Sequence, residues 1–197
     1  MAGPSSIFPL KVEPPLAEIK AKFQSAPWAL QFFSDPALRA FTNESRVTKP
    51  DSTADTFVAK TLAAEDTIIA WQSFYKAADS SKKYGQVLSL LSLGSGVNGH
   101  VDTCHGGFIS LLLDEALGLA AESARENDKT TMTASLKVDY KKPVRTPAIV
   151  LCRAWVEKRQ GRKLWIRGNI EDGEGTVMST GEGLFIIVER ILPGEKL

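Results

Sequence analysis

The sequence predicts an α+β fold in which a curved antiparallel sheet wraps one long buried helix, with a helical extension ahead of it. Three observations carry this. Strand-like segments come as two, then four, on either side of a single long apolar segment. That segment, from about 105 to 125, sets Phe108, Ile109, Leu111, Leu112, Leu113, Ala116, Leu117, Leu119 and Ala120 around nearly its whole circumference. A helix apolar on every side must be buried on every side, which one flat sheet cannot do. Either the sheet curves around it or a second copy of the chain covers it. The third observation is that the later strands are joined by short turns, which only antiparallel neighbours allow.

Taken in order, residues 1 to about 13 carry no periodic pattern. From Pro14 to about Phe41 the signals are those of short helices. Leu16, Ile19 and Phe23 recur at helical spacing, and Ser25 with Pro27, then Asp35 with Pro36, each pair a capping residue with a first-turn proline. Thr42 to Thr56 is polar, contains Pro50 and reads as a linker. Residues 1–65 are thus an extension and linker, and 66–190 the main domain. A cover over the substrate entrance is one role open to the extension. Strands are expected at 67–76 and 86–93, then at 131–141, 148–158, 163–171 and 176–188. Pro143 with Pro147, Gln160-Gly161 and Asp172-Gly173 break the last four, the latter two as hairpin turns.

Composition removes several function classes. Of 197 residues, 43% are hydrophobic and 24% charged, as in ordinary globular domains. Twenty-four basic and 23 acidic residues are interspersed, so neither a nucleic acid nor a membrane surface is an expected partner. No apolar run approaches the ~18 residues of a membrane span. Cys104 and Cys152 make neither a disulfide framework nor a Cys/His metal pattern, so no metal and no cofactor are expected, and a reducing compartment is. Met1 to Leu10 lacks the marks of a secretory signal, and Glu195-Lys196-Leu197 only echoes a peroxisomal tail. The expected place is the cytoplasm, with mitochondrion or peroxisome as alternatives.

The informative stretch runs from Asn98-Gly99-His100 through Cys104-His105-Gly106-Gly107 into the apolar helix. At a helix start the backbone N–H groups lack partners and the dipole is positive. Glycines there let a ligand approach the backbone, so a developing oxyanion would be stabilised. Asp114 and Glu115 sit mid-helix among apolar side chains. An unpartnered buried carboxylate costs several kcal/mol, so at least one should face a cavity, a cation or another subunit; the alternative is capping by neighbouring groups. His105 and Asp114 are nine residues apart, roughly 13 Å along a helix. They cannot act on one carbonyl within one chain. Two antiparallel helices from two copies would bring one helix start to the other's carboxylate. A homodimer or tetramer is therefore expected. Cys104 reads as a small buried residue, since adjacent side chains seldom converge with His105 as a nucleophile would need.

At these residues the sequence resembles the phenylacetate-pathway and mitochondrial-type hotdog thioesterases. They carry His-Gly-Gly, an Asp nine residues on, and a strand ending in Tyr-x-x-Pro. Here those are His105-Gly106-Gly107, Asp114, and Thr130 through Tyr140 to Pro143. Gly161-Arg162-Lys163-Leu164 and Gly181-Glu182-Gly183 also match, and the resemblance covers about 84–188. It implies a hotdog fold and hydrolysis of an acyl-CoA. Asp114 would be general base or nucleophile. The Gly106 N–H would polarise the thioester carbonyl, His105 would orient that turn, and Thr133 would hold the water. Strand alternation, however, puts Met132, Ala134, Leu136 and Val138 on one face and Thr133 on the other. The family often has Asn or Gln where this chain has Gly99, so Gly107, Asn98 and His100 are candidate substrate contacts. Lys141, Lys142, Arg162 and Lys163 are candidates for the CoA phosphates.

Two rival functions follow from the same residues. The spacing from His100 to Asp114 matches the His and Glu of hotdog β-hydroxyacyl dehydratases, which implies dehydratase or hydratase chemistry. The other rival is a non-catalytic acyl-CoA-binding regulator.

Overall fold

The computed structural model of the chain describes residues 16–80 and 82–189. The expectations for 1–13 and for Glu195-Lys196-Leu197 lie outside them. Two short helices come first, α1 (Ala17–Ala21) and α2 (Pro27–Leu30). Pro27 opens the second, where its missing N–H costs nothing. The helix expected from Asp35-Pro36 is instead a strand, β1 (Leu38–Phe41). The reason is local. Asp35 Oδ1 accepts the Ala37 N–H at 2.8 Å and so closes a tight turn, not a helix cap. The chain then pairs antiparallel with β2 (Ile68–Lys76), so the segment before residue 66 contributes a strand to the main sheet.

The expected linker is also ordered. Asn43 Oδ1 caps a 3₁₀ turn at Glu44–Arg46, and a π-helical turn follows at Phe57–Thr61. The Arg46 guanidinium ties the two together by donating to the carbonyls of Val58, Leu62 and Ile68 at 2.9, 3.1 and 3.2 Å. After β2 come β3 (Gln86–Leu93), a small hairpin of β4 (Asn98–His100) and β5 (Thr103–Cys104), and helix α3 (Gly106–Glu122). Four strands follow: β6 (Lys129–Tyr140), β7 (Ala148–Gln160), β8 (Lys163–Glu171) and β9 (Val177–Glu189). These six long strands and α3 lie within a few residues of their predicted places.

Among the described residues one sheet runs β1-β2-β3-β7-β8-β9-β6, every neighbour antiparallel. Helix α3 packs against β3, β6, β7, β8 and β9. A single helix can touch five strands only if the sheet curves around it. Trp71, Tyr75, Leu91 and Leu93 point to this core, while Ala70, Phe74, Leu88 and Leu90 point to the opposite face. There they meet Phe23, Ala29 and Trp28 of the extension. Strands β2 and β3 are thus covered on both sides, which is why Gln86–Leu93 is nearly continuous in apolar residues. Helices α1 and α2 of the extension therefore lie away from α3, whereas Phe41, Val58 and Leu62 reach the α3 side. No described helix is long and apolar enough to cross a membrane.

Glycines set how closely α3 approaches the sheet. A Cβ at Gly168 would fall 2.8 Å from Leu117 Cδ1, and one at Gly183 3.0 Å from Leu117 Cδ2. Leu117, fully buried, fills the hollow that these two glycines leave. Leu117→Ala should cost about 2–5 kcal/mol and lower Tm by on the order of 10 °C. A thermal scan showing almost no change would mean that the sheet closes over the smaller side chain.

Candidate active site

The helix start is built by His105. Its backbone is extended (φ −64°, ψ 134°) and its Nδ1 accepts the Gly107 N–H at 2.9 Å, capping α3. With Nδ1 accepting, the proton of a neutral imidazole sits on Nε2. Phe108 and Ile109 donate to the His105 carbonyl at 3.0 and 3.1 Å. Among the described residues no hydrogen bond takes the Gly106 N–H. Gly107, a candidate substrate contact, therefore has its donor engaged, and Gly106 holds the donor without an acceptor among the described residues. Gly99 explains its own departure from the family pattern: a Cβ there would lie 2.7 Å from His105 Cδ2, so the imidazole rests against bare backbone. Asn98 is half-buried and accepts the Thr146 hydroxyl. His100 is exposed on β4 and does not line the cleft at Asp114. Burial pushes the Cys104 thiol up to about 12, which keeps it from being a nucleophile.

Two further groups brace this turn: the Tyr of Tyr-x-x-Pro, to which the sequence gave no role, and Ser110, which it did not mark. The Tyr140 hydroxyl, at the end of β6, donates to the Gly106 carbonyl at 3.0 Å and lies 2.6 Å from the Ser110 hydroxyl. The sequence signal for Ser110 is its spacing: with Gly107, Asp114 and Gly118 it forms one helical stripe that is not fully buried. That stripe is the part of α3 that the rest of the described chain leaves open.

Asp114 lies on the stripe. Its Oδ1 accepts the Thr133 hydroxyl at 2.9 Å. Simple alternation sets Thr133 on the face opposite Leu136 and Val138, yet it faces the helix with them. A bulge is the cause. Thr133 pairs with Phe185 and Ser135 with Leu184, leaving Ala134 as an extra residue that resets the phase of β6. Thr131 and Thr133 before the bulge and Leu136, Val138 and Tyr140 after it then share one face, because directly paired residues do. Asp114 opens on a cleft of about 680 Å³, bounded by Asn43, Ser45, Glu115, Glu122, Thr131 and Thr133, among others. It is Glu115 that sinks inward. Burial foremost holds its carboxyl above the usual range, against a hydrogen bond shared with Ser45; the charges of Asp114 and Asp55 add to the rise. Ser45 and Asn43, both from the expected linker, are site neighbours that sequence pattern did not mark.

The four basic candidates do not gather in one chain. Lys141 and Lys142 follow β6 beside Met178, whereas Lys163 pairs with Ile186 at the far end of β9, with Arg162 next to it. Ser179, opposite Tyr140, and Ile186 are seven residues apart, roughly 23 Å of strand. All four side chains are exposed. Among the described residues no three His, Cys, Asp or Glu are placed to hold a metal ion.

Comparison with known proteins follows the same residues. Residues 102–179, from the turn before α3 into β9, match the model of the thioesterase superfamily. The rat protein "Acyl-coenzyme A thioesterase THEM4" is 29% identical over 173 residues, which make up 86% of this chain and 68% of that one. The protein of the same name from Bos taurus is 35% identical over 83 residues, 42% of this chain and 32% of that one. The chain thus matches about two thirds of the length of the first relative and a third of the second. A phenylacetic acid degradation-related protein from Ralstonia eutropha JMP134 superposes with a TM-score of 0.54 at 17% identity, over 71% of this chain and 92% of that one, a likeness of fold. The helix wrapped by an antiparallel sheet gives this chain the hotdog fold, and its residues 102–179 are similar to the thioesterase superfamily.

Proposed function

We propose that this chain is an acyl-CoA thioesterase, hydrolysing the thioester to free acid and CoA with Asp114 as its catalytic carboxylate, at a site shared between two copies of the chain. One observation carries the reading: a carboxylate on a largely apolar helix stands in an open cleft, oriented by Thr133 at 2.9 Å. As a general base Asp114 takes a proton from water while the water oxygen attacks the thioester carbon. The C–S bond then breaks and the proton passes to the CoA sulfur. As a nucleophile it would first form a mixed anhydride, which water opens. The Gly106 N–H stabilises the oxyanion, and His105 and Tyr140 hold that turn in place.

The two halves lie nine residues apart on one helix, roughly 13 Å, so a second copy completes the site. Strand β6 supports this. It is a sheet edge of twelve residues, exposed on its outer face and half-buried toward α3, and an uncovered edge of that length is a template for pairing. A two-fold copy pairing along β6 reverses the strand. It brings the Lys141–Lys142 end of one chain toward the partner's Arg162 and Lys163, and the two basic pairs then meet around one CoA. Cys104 and Cys152 are free and buried, in keeping with a reducing compartment, the cytoplasm first.

Thiol release from a panel of short, long and aromatic acyl-CoAs tests the reading. The expected result is release that Asp114→Asn abolishes. Hydration of an enoyl-CoA that His100→Ala abolishes, with no thiol released, would instead establish the hydratase. Tight acyl-CoA binding without thiol release would establish the non-catalytic regulator.

A further inference from the structure

The 43–61 segment meets the site through a chain of three polar side chains. Ser45 Oγ lies within hydrogen-bond distance of both Glu115 Oε2 and Asn43 Oδ1, the latter at 3.1 Å, and the Ser45 N–H donates to Asn43 Oδ1 at 3.2 Å. Asn43 is buried, and its Nδ2 has no hydrogen-bond partner. A serine hydroxyl has one proton for two acceptors. With Glu115 ionised, one of the two contacts lacks a proton. With Glu115 neutral, its O–H donates to Ser45, whose O–H donates to Asn43, and both contacts are hydrogen bonds.

Resting on the Asp114-centred hydrolysis proposed above, we infer that Glu115 is a positioning residue: as the neutral acid it clasps Ser45 and so holds the 43–61 segment as a wall of the Asp114 cleft. The surroundings favour the neutral form. The charged neighbours lining the cleft are Asp114 and Glu122 of α3, Arg125 just after it, and Glu44, Lys49 and Asp55 of the segment, with Arg46 close by; β6 and β9 line it with Thr130, Thr131, Thr133 and Phe185. Each cation has other partners, and Arg46 is the one whose charge Glu115 also meets. Arg125 pairs with Glu122, Lys49 with Asp55, and Arg46 donates to three carbonyls. Burial, with Asp114 and Asp55 nearby, raises the Glu115 carboxyl above its ordinary value.

The sign of the pH dependence follows. A carboxyl raised in the folded chain binds its proton more tightly there than when unfolded. The stability this contributes is fully present below the unfolded value and is lost as pH rises through the folded one. Glu115→Gln keeps a neutral donor at every pH. Its Tm, compared with that of the unaltered protein, should gain as pH rises from about 5 to about 8, the gap widening by roughly 3 °C or more. Ser45→Ala, which removes the hydroxyl between Glu115 and Asn43, should lower Tm on both sides of that ionisation. In hydrolysis, kcat/KM of the unaltered protein should decline through the same ionisation, and that of Glu115→Gln should not.

Parallel Tm curves for the unaltered protein and Glu115→Gln would overturn the clasp. Identical pH profiles of kcat/KM would overturn its positioning role. Were the chain to hydrolyse no acyl-CoA, the functional reading would fail, and the unfolding curves would still decide whether the clasp exists.

Discussion

Asp114→Asn lowers kcat/KM for acyl-CoA hydrolysis by about a hundred- to ten-thousand-fold and leaves the fold intact. The amide matches the carboxylate in size and still accepts from Thr133 through its oxygen. It can neither take a proton from water nor attack a thioester. Stability should hold because Asp114 stands in an open cleft, with no buried partner for the substitution to orphan. Thiol release and a thermal scan on the same preparation check both halves. A variant that unfolds would make the loss uninformative; one that folds and still hydrolyses would remove Asp114 from the chemistry.

The second large effect comes from deleting a single backbone proton. Gly106 is the first residue of α3, the position where proline is favoured, because that N–H has no intrahelical acceptor. The preceding residue, His105, already has the extended conformation that proline demands of its neighbour (φ −64°, ψ 134°). A Cβ at Gly106 would be 3.5 Å from the Tyr140 ring, an ordinary contact. Gly106→Pro should therefore fold normally and lack the donor assigned to the oxyanion. The expected loss is about a hundred- to a thousand-fold in kcat. A fully active Gly106→Pro would move the oxyanion site elsewhere.

Much of the fold was legible because it rests on periodicity. The long apolar stretch after His105, flanked by segments with turn residues between them, defined helix, strands and their order. The Asp35-Pro36 helix failed because a capping residue before proline is also the start of a tight turn, and only pairing with β2 decides between them. Thr42–Thr56 read as a linker because its order comes from distant partners: Arg46 reaches carbonyls as far away as Ile68, and Ser45 reaches Glu115.

At the candidate site, residue type and position marked His105 and Gly106 at the helix start, while only resemblance separated Asp114 from Glu115. Thr133 was legible only through resemblance, since alternation argued against it and nothing in Met132-Thr133-Ala134-Ser135 announces a bulge. Tyr140 and Ser110 act on the Gly106 carbonyl from two elements, a convergence that sequence order does not reveal. The basic residues show the reverse case. Similar chemistry suggested one cluster, and the register of β6, β9 and β8 separates it into two ends of the sheet.

The account depends on each reaction using the carboxylate of one subunit and the helix start of another. Mixing Asp114→Asn with Gly106→Pro, after dissociation and reassembly, tests this directly. Each variant alone should be nearly inactive. In a mixed dimer one site carries both changes and the other neither, so random reassembly should restore roughly a quarter of the unaltered activity. A mixture that stays as inactive as its parents, although hybrid dimers form, would contradict the shared site.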